Sequence, residues 1–272
     1  MSETNDPAAW RDLLPRPGPS SHKHRRGRLG VVSGGPLQTG AARLAARAGL
    51  RIGAGLVRLL CPPDAALIVA AAVEAIMVDA FETPEALASL AGRLDAVVIG
   101  PAAGLTPQTE AHVIALSATS ARLIVDADAL TLFKDRADAL FALLRPGDVL
   151  TPHEGEFERL FPGLLADGRA TAATVAARRC GATVILKGHE TLIASPDGRL
   201  RLNPNGSSWL ATAGSGDVLA GLTGGLVAQG MEAFEAASAA VWIHAAAAAR
   251  FGVGLTAGDL PDLIPAVLVD LA

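Results

Sequence analysis

The order of apolar segments in this chain predicts an α/β fold, a doubly wound and mostly parallel sheet sandwiched between helices. From Arg28 onward, short runs rich in Val, Ile and Leu alternate with Ala-rich stretches of helical length, the pattern of βα units wrapped on a parallel sheet. With 272 residues, half of them hydrophobic and 18% charged, the chain can bury a large core without a disulfide or metal staple. The same composition excludes intrinsic disorder for most of its length.

Residues 1–27, rich in Pro, Ser and charge, read as an N-terminal strap or flexible tail ahead of one domain over 28–272. Strands are expected at 28–33, 56–61, 76–79, 95–99, 122–126, 147–151 and 183–187, with helices between them at 40–52, 64–73, 84–92, 107–119, 128–143 and 170–180. The turn residues SPDG at 195–198 predict a hairpin between short strands 191–195 and 199–203. Beyond Gly214, 217–229 and 232–250 read as two buried helices, rich in Ala and Gly so that backbones approach closely, and 259–271 as a closing helix. On helix 40–52, Arg43, Arg47 and Arg51 share one stripe. It reads as a solvated polar face, with phosphate binding or a subunit contact as the alternatives.

The net charge of -4 provides no bulk basic surface for nucleic acid, and the basic run 22–28 is short enough for a solvated lead-in. No charge-free run exceeds 15 residues, so a membrane span is not expected, and the N-terminus lacks an apolar signal core. Cys61 and Cys180 stand alone without zinc-ligand spacing, which fits a reduced, cytoplasmic setting.

The strongest chemical signal is Ala211-Thr212-Ala213-Gly214-Ser215-Gly216-Asp217, followed at once by a helical segment. Glycines ahead of a helix permit a tight turn and leave backbone N–H groups facing open space. With the helix dipole, those groups suit a phosphoryl group. Asp217, in the first turn, would accept the proton of an attacking hydroxyl or simply cap the helix; spacing leaves both open. The segment is neither a P-loop nor a Rossmann fingerprint, since no GxxxxGK[ST] occurs and Leu219 replaces the third glycine.

Three further loops follow strands, where open α/β sheets gather ligands. Gly100-Pro101-Ala102-Ala103-Gly104 lets a ligand approach the backbone, or is a plain turn. Thr151-Pro152-His153-Glu154-Gly155-Glu156 would orient a polar substrate or hydrated Mg²⁺, or start a helix. Lys187-Gly188-His189-Glu190-Thr191 sets a lysine at a buried strand end, where an anionic partner would offset its cost unless its head reaches solvent. Asp126 and Asp128 end the strand LIVDAD, where either would contact metal-bound water or substrate, with Asp128 read rather as a helix cap. His244 reads as a satisfied core histidine.

Taken in order, these segments resemble the ADP-dependent NAD(P)H-hydrate dehydratases of the ribokinase-like superfamily. The resemblance runs from Gly27 to the C-terminus through GRLGVVSGG, TGAARLAARAGLRIGAGLV, DAVVIGPAAG, LIVDADAL, LTPHEGEFERL, VILKGHETLI and ATAGSGDVLAGLTGGLVAQG. Only the last is shared widely with sugar and vitamin kinases. TPHEGE, the KG-x-x-T pattern and TGAA point to the dehydratase branch, and the length looks like that of the stand-alone dehydratase rather than the two-domain form with an epimerase.

The resemblance implies a reaction: ADP-dependent dehydration of the S-form hydrate of NADH or NADPH, yielding AMP and phosphate, with Mg²⁺. It implies that Ala41, Gly104 and His153 contact the hydrated dinucleotide (NADHX or NADPHX) and that Asp217 is the catalytic aspartate beside the substrate hydroxyl. By the same resemblance, Lys187, Gly188, His189, Glu190, Thr191 and Gly216 belong to the adenine-nucleotide site, with Gly214 and Ser215 supplying backbone amides, and Glu156 falls where kinases organise Mg²⁺. A homo-oligomer is implied as well, with neither nucleic acid nor membrane as partner. The chain departs from the family's GPG at Ala102 and from its GGTGD at Ala213 and Ser215; an added methyl restricts a backbone that needs φ > 0. An ATP-dependent kinase of a small alcohol and a catalytically silent nucleotide-binding protein are the competing readings.

Overall fold

The structure, a computed structural model, describes residues 2–16, 18 and 26–272, so the basic residues 22–25 lie outside the described residues. In chain order the strands are β1 (Glu3–Thr4), β2 (Arg28–Val32), β3 (Leu56–Cys61), β4 (Met77–Ala80), β5 (Ala96–Ile99), β6 (Arg122–Val125), β7 (Val149–Leu150), β8 (Thr183–Leu186), β9 (Leu192–Ala194) and β10 (Leu200–Leu202). The helices are α1 (Thr39–Arg51), α2 (Pro63–Ala71), α3 (Pro84–Ala91), α4 (Pro107–Ser117), α5 (Ala127–Thr131), α6 (Ala137–Phe141), α7 (Glu154–Leu160), α8 (Arg169–Cys180), α9 (Ser215–Ala228), α10 (Ala233–Phe251) and α11 (Leu260–Asp270).

Among the described residues the strands form one sheet in the order β1-β10-β9-β8-β7-β6-β5-β2-β3-β4. Only β9 runs against its neighbours, β8 and β10. Along the central strands successive side chains enter opposite cores. Ala96 and Val98 face one, Val97 and Ile99 the other; Ile185 faces the first, Val184 and Leu186 the second. Both faces of a covered parallel sheet are apolar, which explains the unbroken Val/Ile/Leu runs. The first core is closed by α1, α2, α9, α10 and α11, the second by α3 to α8.

The helix starts are chemically explicit. Pro63, Pro84 and Pro107 occupy first-turn positions, where a missing N–H costs nothing, and the Thr83 and Thr106 hydroxyls accept from the amides of Ala86 and Thr109. Helices α1 and α9 meet backbone to backbone: a Cβ on Gly221 would lie 2.1 Å from the Ala45 carbonyl oxygen, and one on Gly225 2.9 Å from that of Gly49.

One expectation about the elements is corrected. The helix expected at 128–143 is two short helices, α5 and α6. The break brings Phe133, Leu140 and Phe141 all into the second core and places Arg136 in a two-pronged pair with Glu110. Residues 154–160 form α7, in keeping with the helix-start reading of the 151–156 segment. The arginine stripe is a solvated polar face, with Arg47 and Arg51 half exposed and both paired with Asp262 at the start of α11, at 2.9 and 2.8 Å. A hollow of about 650 Å³ there is lined by these arginines.

The N-terminal segment joins the sheet: β1 pairs in parallel with β10, Glu3 opposite Arg201 and Thr4 opposite Leu202. Trp10 is fully buried against the edge of Trp242, ring centroids 5.9 Å apart. Cys61 and Cys180 are free and buried. No helix among the described residues is long and apolar enough to cross a membrane.

Candidate active site

The strand ends at the carboxyl edge of the sheet and the start of α9 converge on Lys187. Its ammonium lies 2.8 Å from Asp126 Oδ1 and 4.0 Å from Glu156 Oε2. Asp126 follows β6 directly and Lys187 follows β8, and the strands set these side chains facing each other across the short β7. The Lys187 amide donates to the Pro152 carbonyl, and His153 bridges Lys187 in parallel. The head of Lys187 therefore meets carboxylates rather than simply reaching solvent. Burial works against its charge, but Asp126, Glu156 and Asp217 together hold its pKa above the ordinary lysine range.

Helix α9 begins after Gly214, which has φ +91° and offers no side-chain cap. A Cβ at Gly214 would lie 2.7 Å from Leu44 Cδ1 and 3.0 Å from Ala257 Cβ. No side chain caps the turn, and although the Ser215 amide donates to the Thr212 carbonyl at 3.3 Å, a helix N-terminus of this kind suits an anion. Asp217 sits within that turn and does not cap it, which removes the capping reading of its position. Burial raises its pKa to about 6; the charges of Asp126 and Asp128 push the same way and Lys187 opposes. A Cβ on Gly216 would lie 3.5 Å from Lys187 Nζ, so the ammonium stands beside the glycine-rich turn. The Ser215 hydroxyl donates to the Leu210 carbonyl at 2.7 Å.

His153 and Glu156 form a capping box on α7. The His153 amide donates to Glu156 Oε2 at 2.9 Å, while His153 Nδ1 accepts from Gly155 and Glu156 at 3.0 and 3.2 Å. The imidazole proton of neutral His153 is thereby placed on Nε2. Asp128 is not a helix cap as expected: its Oδ2 accepts from the Gly104 amide at 2.8 Å, holding the 100–104 loop. In that loop Ala102 has φ +50° and Gly100 φ +123°, and a Cβ on Gly100 would fall 1.7 Å from the Asp126 carbonyl oxygen. Ala213, by contrast, is not among the residues of positive φ.

A cavity of about 470 Å³ opens between the 188–191 loop, residues 203–211, the start of α9 and α10. Of the sequence-predicted nucleotide residues, Lys187, Gly188, His189, Thr191, Ser215 and Gly216 line it, whereas Glu190 and Gly214 do not. The Glu190 carbonyl instead accepts from Arg169, which also donates to the Leu186 carbonyl and pairs with Glu154. The expected substrate residues Gly104 and His153 stand outside this cavity, the first tied to Asp128 and the second to Glu156. Ala41 lies in the first turn of α1, one turn ahead of the Leu44 that abuts Gly214.

The sequence reading missed three contributors. Asp126 was not singled out as the partner of Lys187, nor Arg169 as the brace of the 188–191 loop. His244 was taken for a satisfied core residue, yet it lines the cavity and its Nε2 is buried without a hydrogen-bond partner among the described residues. Burial holds its pKa down to about 4. The Asn-Pro-Asn-Gly stretch at 203–206 carries a turn signal that marks the far wall of the cavity.

The mostly parallel sheet with one reversed strand is the ribokinase-like α/β fold, shared at TM-score 0.89 and 24% identity with a ribokinase-like superfamily protein of Enterococcus faecalis over 98% of this chain and 95% of that one. Residues 29–268 match the family model described as NAD(P)H-hydrate dehydratase, and the chain belongs to that family. It is 39% identical to the ADP-dependent (S)-NAD(P)H-hydrate dehydratase of Neisseria meningitidis over 88% of this chain and 84% of that protein. It is 42% identical to the bifunctional NAD(P)H-hydrate repair enzyme of Gloeobacter violaceus, over 89% of this chain and 48% of the relative. The chain thus spans about half the length of such two-function relatives. Among solved structures it resembles the ADP/ATP-dependent NAD(P)H-hydrate dehydratase of Bacillus subtilis co-crystallised with ATP/Mg²⁺, with TM-score 0.85, 26% identity, and coverage of 100% of this chain and 99% of that one.

Proposed function

We propose that the chain dehydrates the S-form hydrate of NADH or NADPH at the expense of ADP, returning NAD(P)H and releasing AMP and phosphate. The observation that carries this reading is Asp217, ionisable near neutrality and set in an uncapped helix turn beside Lys187. The hydroxyl at C6 of the reduced nicotinamide is a poor leaving group. Asp217 takes its proton, and the freed oxygen forms a bond to the β-phosphorus of ADP while the bond to the AMP oxygen breaks. The N-terminus of α9 at Gly214–Gly216, chiefly through the Gly216 amide, stabilises the charge that develops on the phosphoryl oxygens, and Lys187 neutralises part of it. The phosphate ester formed at C6 then leaves as phosphate with its bonding electrons, driven by the ring-nitrogen lone pair. Loss of the C5 proton restores the dihydronicotinamide. Chemistry of this type rests on positioning and charge stabilisation.

Gly188, His189 and Thr191 serve as the nucleotide-facing residues of the loop in this reading, with Glu190 held by Arg169 outside the cavity; Ala41, Gly104 and His153 hold the hydrated dinucleotide. For Mg²⁺ the donor set is partial. No group of three or more His, Cys, Asp or Glu among the described residues could hold a metal, and Glu156 Oε2 is already engaged by the His153 amide. That fits an ion held chiefly by phosphate and water with Glu156 as its protein contact, the usual manner of Mg²⁺ in phosphoryl-transfer sites. When bound, the ion neutralises phosphate charge.

The working unit in this reading is 28–272 with 1–27 as its strap, in a homo-oligomer within a reducing cytoplasm. Burial raises both thiols to about 11, consistent with unreactive, reduced cysteines. The test mixes protein, NADH hydrate, Mg²⁺ and either ADP or ATP, and follows the dihydronicotinamide absorbance. Recovery with ADP, matched by equal AMP and phosphate, is the expected result. A stable phosphorylated alcohol formed from ATP, with the hydrate untouched, would assign a kinase instead. Nucleotide binding with no turnover of either would assign a silent binder.

A further inference from the structure

The Asn5 side chain is fully buried and uses both ends of its amide. Its Oδ1 accepts from Trp10 Nε1 at 3.0 Å, and its Nδ2 donates to Asn203 Oδ1 at 2.9 Å and to the Ser238 carbonyl at 2.8 Å. Asn203 Nδ2 in turn donates to Asn205 Oδ1 at 2.7 Å, and Asn205 Nδ2 to the Trp242 carbonyl at 3.0 Å. An indole N–H only donates and a carbonyl only accepts. With Trp10 at one end and the Ser238 and Trp242 carbonyls at the other, each of the three amides has a single permitted orientation.

This chain of amides ends at the 470 Å³ cavity. Asn203 lines it and its backbone amide donates to the Thr191 carbonyl at 2.9 Å. A Cβ on Gly206 would lie 2.7 Å from the His189 carbonyl oxygen. Asn203 and Gly206 are therefore pressed against the 188–191 loop, and the Asn203 and Asn205 side-chain amides are oriented by a residue 198 positions before Asn203. The buried Trp10 and the β1–β10 ladder already tether the N-terminal segment. What Asn5 adds is a fixed hydrogen-bonding direction at the cavity wall.

We propose that Asn5 is a positioning residue for the nucleotide pocket, orienting Asn203 and the 203–208 wall so that the pocket is preformed for an adenine nucleotide. This rests on reading the 470 Å³ cavity as the nucleotide site. Asn5→Asp keeps the size and the acceptor for Trp10 but sets an acceptor against Asn203 Oδ1 and the Ser238 carbonyl. A wall that lacks this aligned hydrogen bond has to be ordered by the nucleotide as it binds, which sets the loss of affinity at up to roughly tenfold.

The experiment compares the full chain with Asn5→Asp and Trp10→Phe by calorimetric titration of ADP, by hydrate turnover and by thermal melting. Asn5→Asp is expected to raise both Kd and KM for ADP about tenfold, with kcat and the hydrate KM within about twofold of the parent. Trp10→Phe keeps an aromatic ring against Trp242 but loses the indole donor and the volume of one fused ring, and is expected to raise the ADP KM about threefold with a lower Tm; with kcat and the hydrate KM unchanged, it is the deciding variant should Asn5→Asp fail to fold. An unchanged ADP affinity in the folded variant would overturn the proposal, as would a parallel drift of kcat and both KM values with falling Tm, the mark of a purely structural residue. If the parent chain itself binds no ADP, the nucleotide reading of the cavity fails, and this inference with it.

Discussion

Asp217 occupies a position where a carboxylate is held partly out of water yet within reach of a cation, and both its pH behaviour and its cost follow. With its pKa raised to about 6, the base is protonated below that value, so kcat measured across pH should climb through about pH 6 and level off above it. Asp217→Asn should lower kcat by about 10²–10⁴-fold, and the residual activity should no longer show that limb. Stability runs the other way. Because the native pKa lies above the unfolded value, the folded state binds the extra proton between roughly pH 4 and 6, and stability falls as pH rises through that window. Asp217→Asn should therefore melt at or above the parent temperature at neutral pH while being nearly inactive. A lower Tm at neutral pH would contradict the desolvation account. Ala102 gives a second test at this scale. A side chain at φ +50° is strained, and Ala102→Gly should add about 1 kcal/mol of stability in urea unfolding. The sequence reading anticipated this for Ala102 and for Ala213 alike, and only the first holds a positive φ. Residue identity carried Lys187 and Asp217 to their site, since each follows an unmistakable strand or turn. Asp126, Asp128 and His244 were not legible in their roles, because their partners lie 24 to 61 residues away or belong to another element.

Among the elements, the strands were the most legible and the second helical layer the least. Both side-chain rows of β5, β6 and β8 are buried, so each writes a continuous apolar run into the sequence. The split of 128–143 into α5 and α6 has no Gly or Pro to announce it; it is set by the packing of Phe133 and by the pairing of Arg136 with Glu110 on α4. Helix α7 is hidden behind polar residues because His153 and Glu156 spend their side chains on its start. The α1–α9 contact was foreseen only as an Ala- and Gly-rich surface, yet it fixes where the anion-facing turn sits relative to Leu44. Gly221→Ala would place its methyl 2.1 Å from the Ala45 carbonyl oxygen and force the helices apart. A loss of about 1–3 kcal/mol in chemical denaturation is expected, with a fall in activity beyond what the unfolded fraction explains, since α9 carries Asp217. Unaltered stability would mean that the two helices have slack which the contact distances do not show.

In the molecule as a whole, the pocket, the sheet and the N-terminal segment form one connected body, and a ligand that fills the pocket should be felt throughout. At about 100 times its Kd a nucleotide adds roughly 2.7 kcal/mol, which for a chain of this size corresponds to a rise in Tm of roughly 5–10 °C. ADP should produce that rise in the parent chain, and thermal scans with and without nucleotide check it. The domain-scale architecture was readable from the alternation of segments alone. The role of residues 1–27 was not, because a two-residue strand and one buried tryptophan leave no periodic trace.

The pairing of β1 with β10 has a colloidal consequence. A sheet ends safely only where its last strand is short, charged or covered. At one border β4 is guarded by the Arg58–Asp79 pair. At the other, β1 contributes two residues, one of them Glu3, followed by Pro7. Without it the terminal strand would be β10, whose unpaired backbone groups, flanked by Leu200 and Leu202, would offer a template for a neighbouring molecule. A chain begun at Pro15 should accordingly scatter more light than the full protein as concentration rises, and a few residues at the start of the sequence would prove to govern how the protein behaves in company.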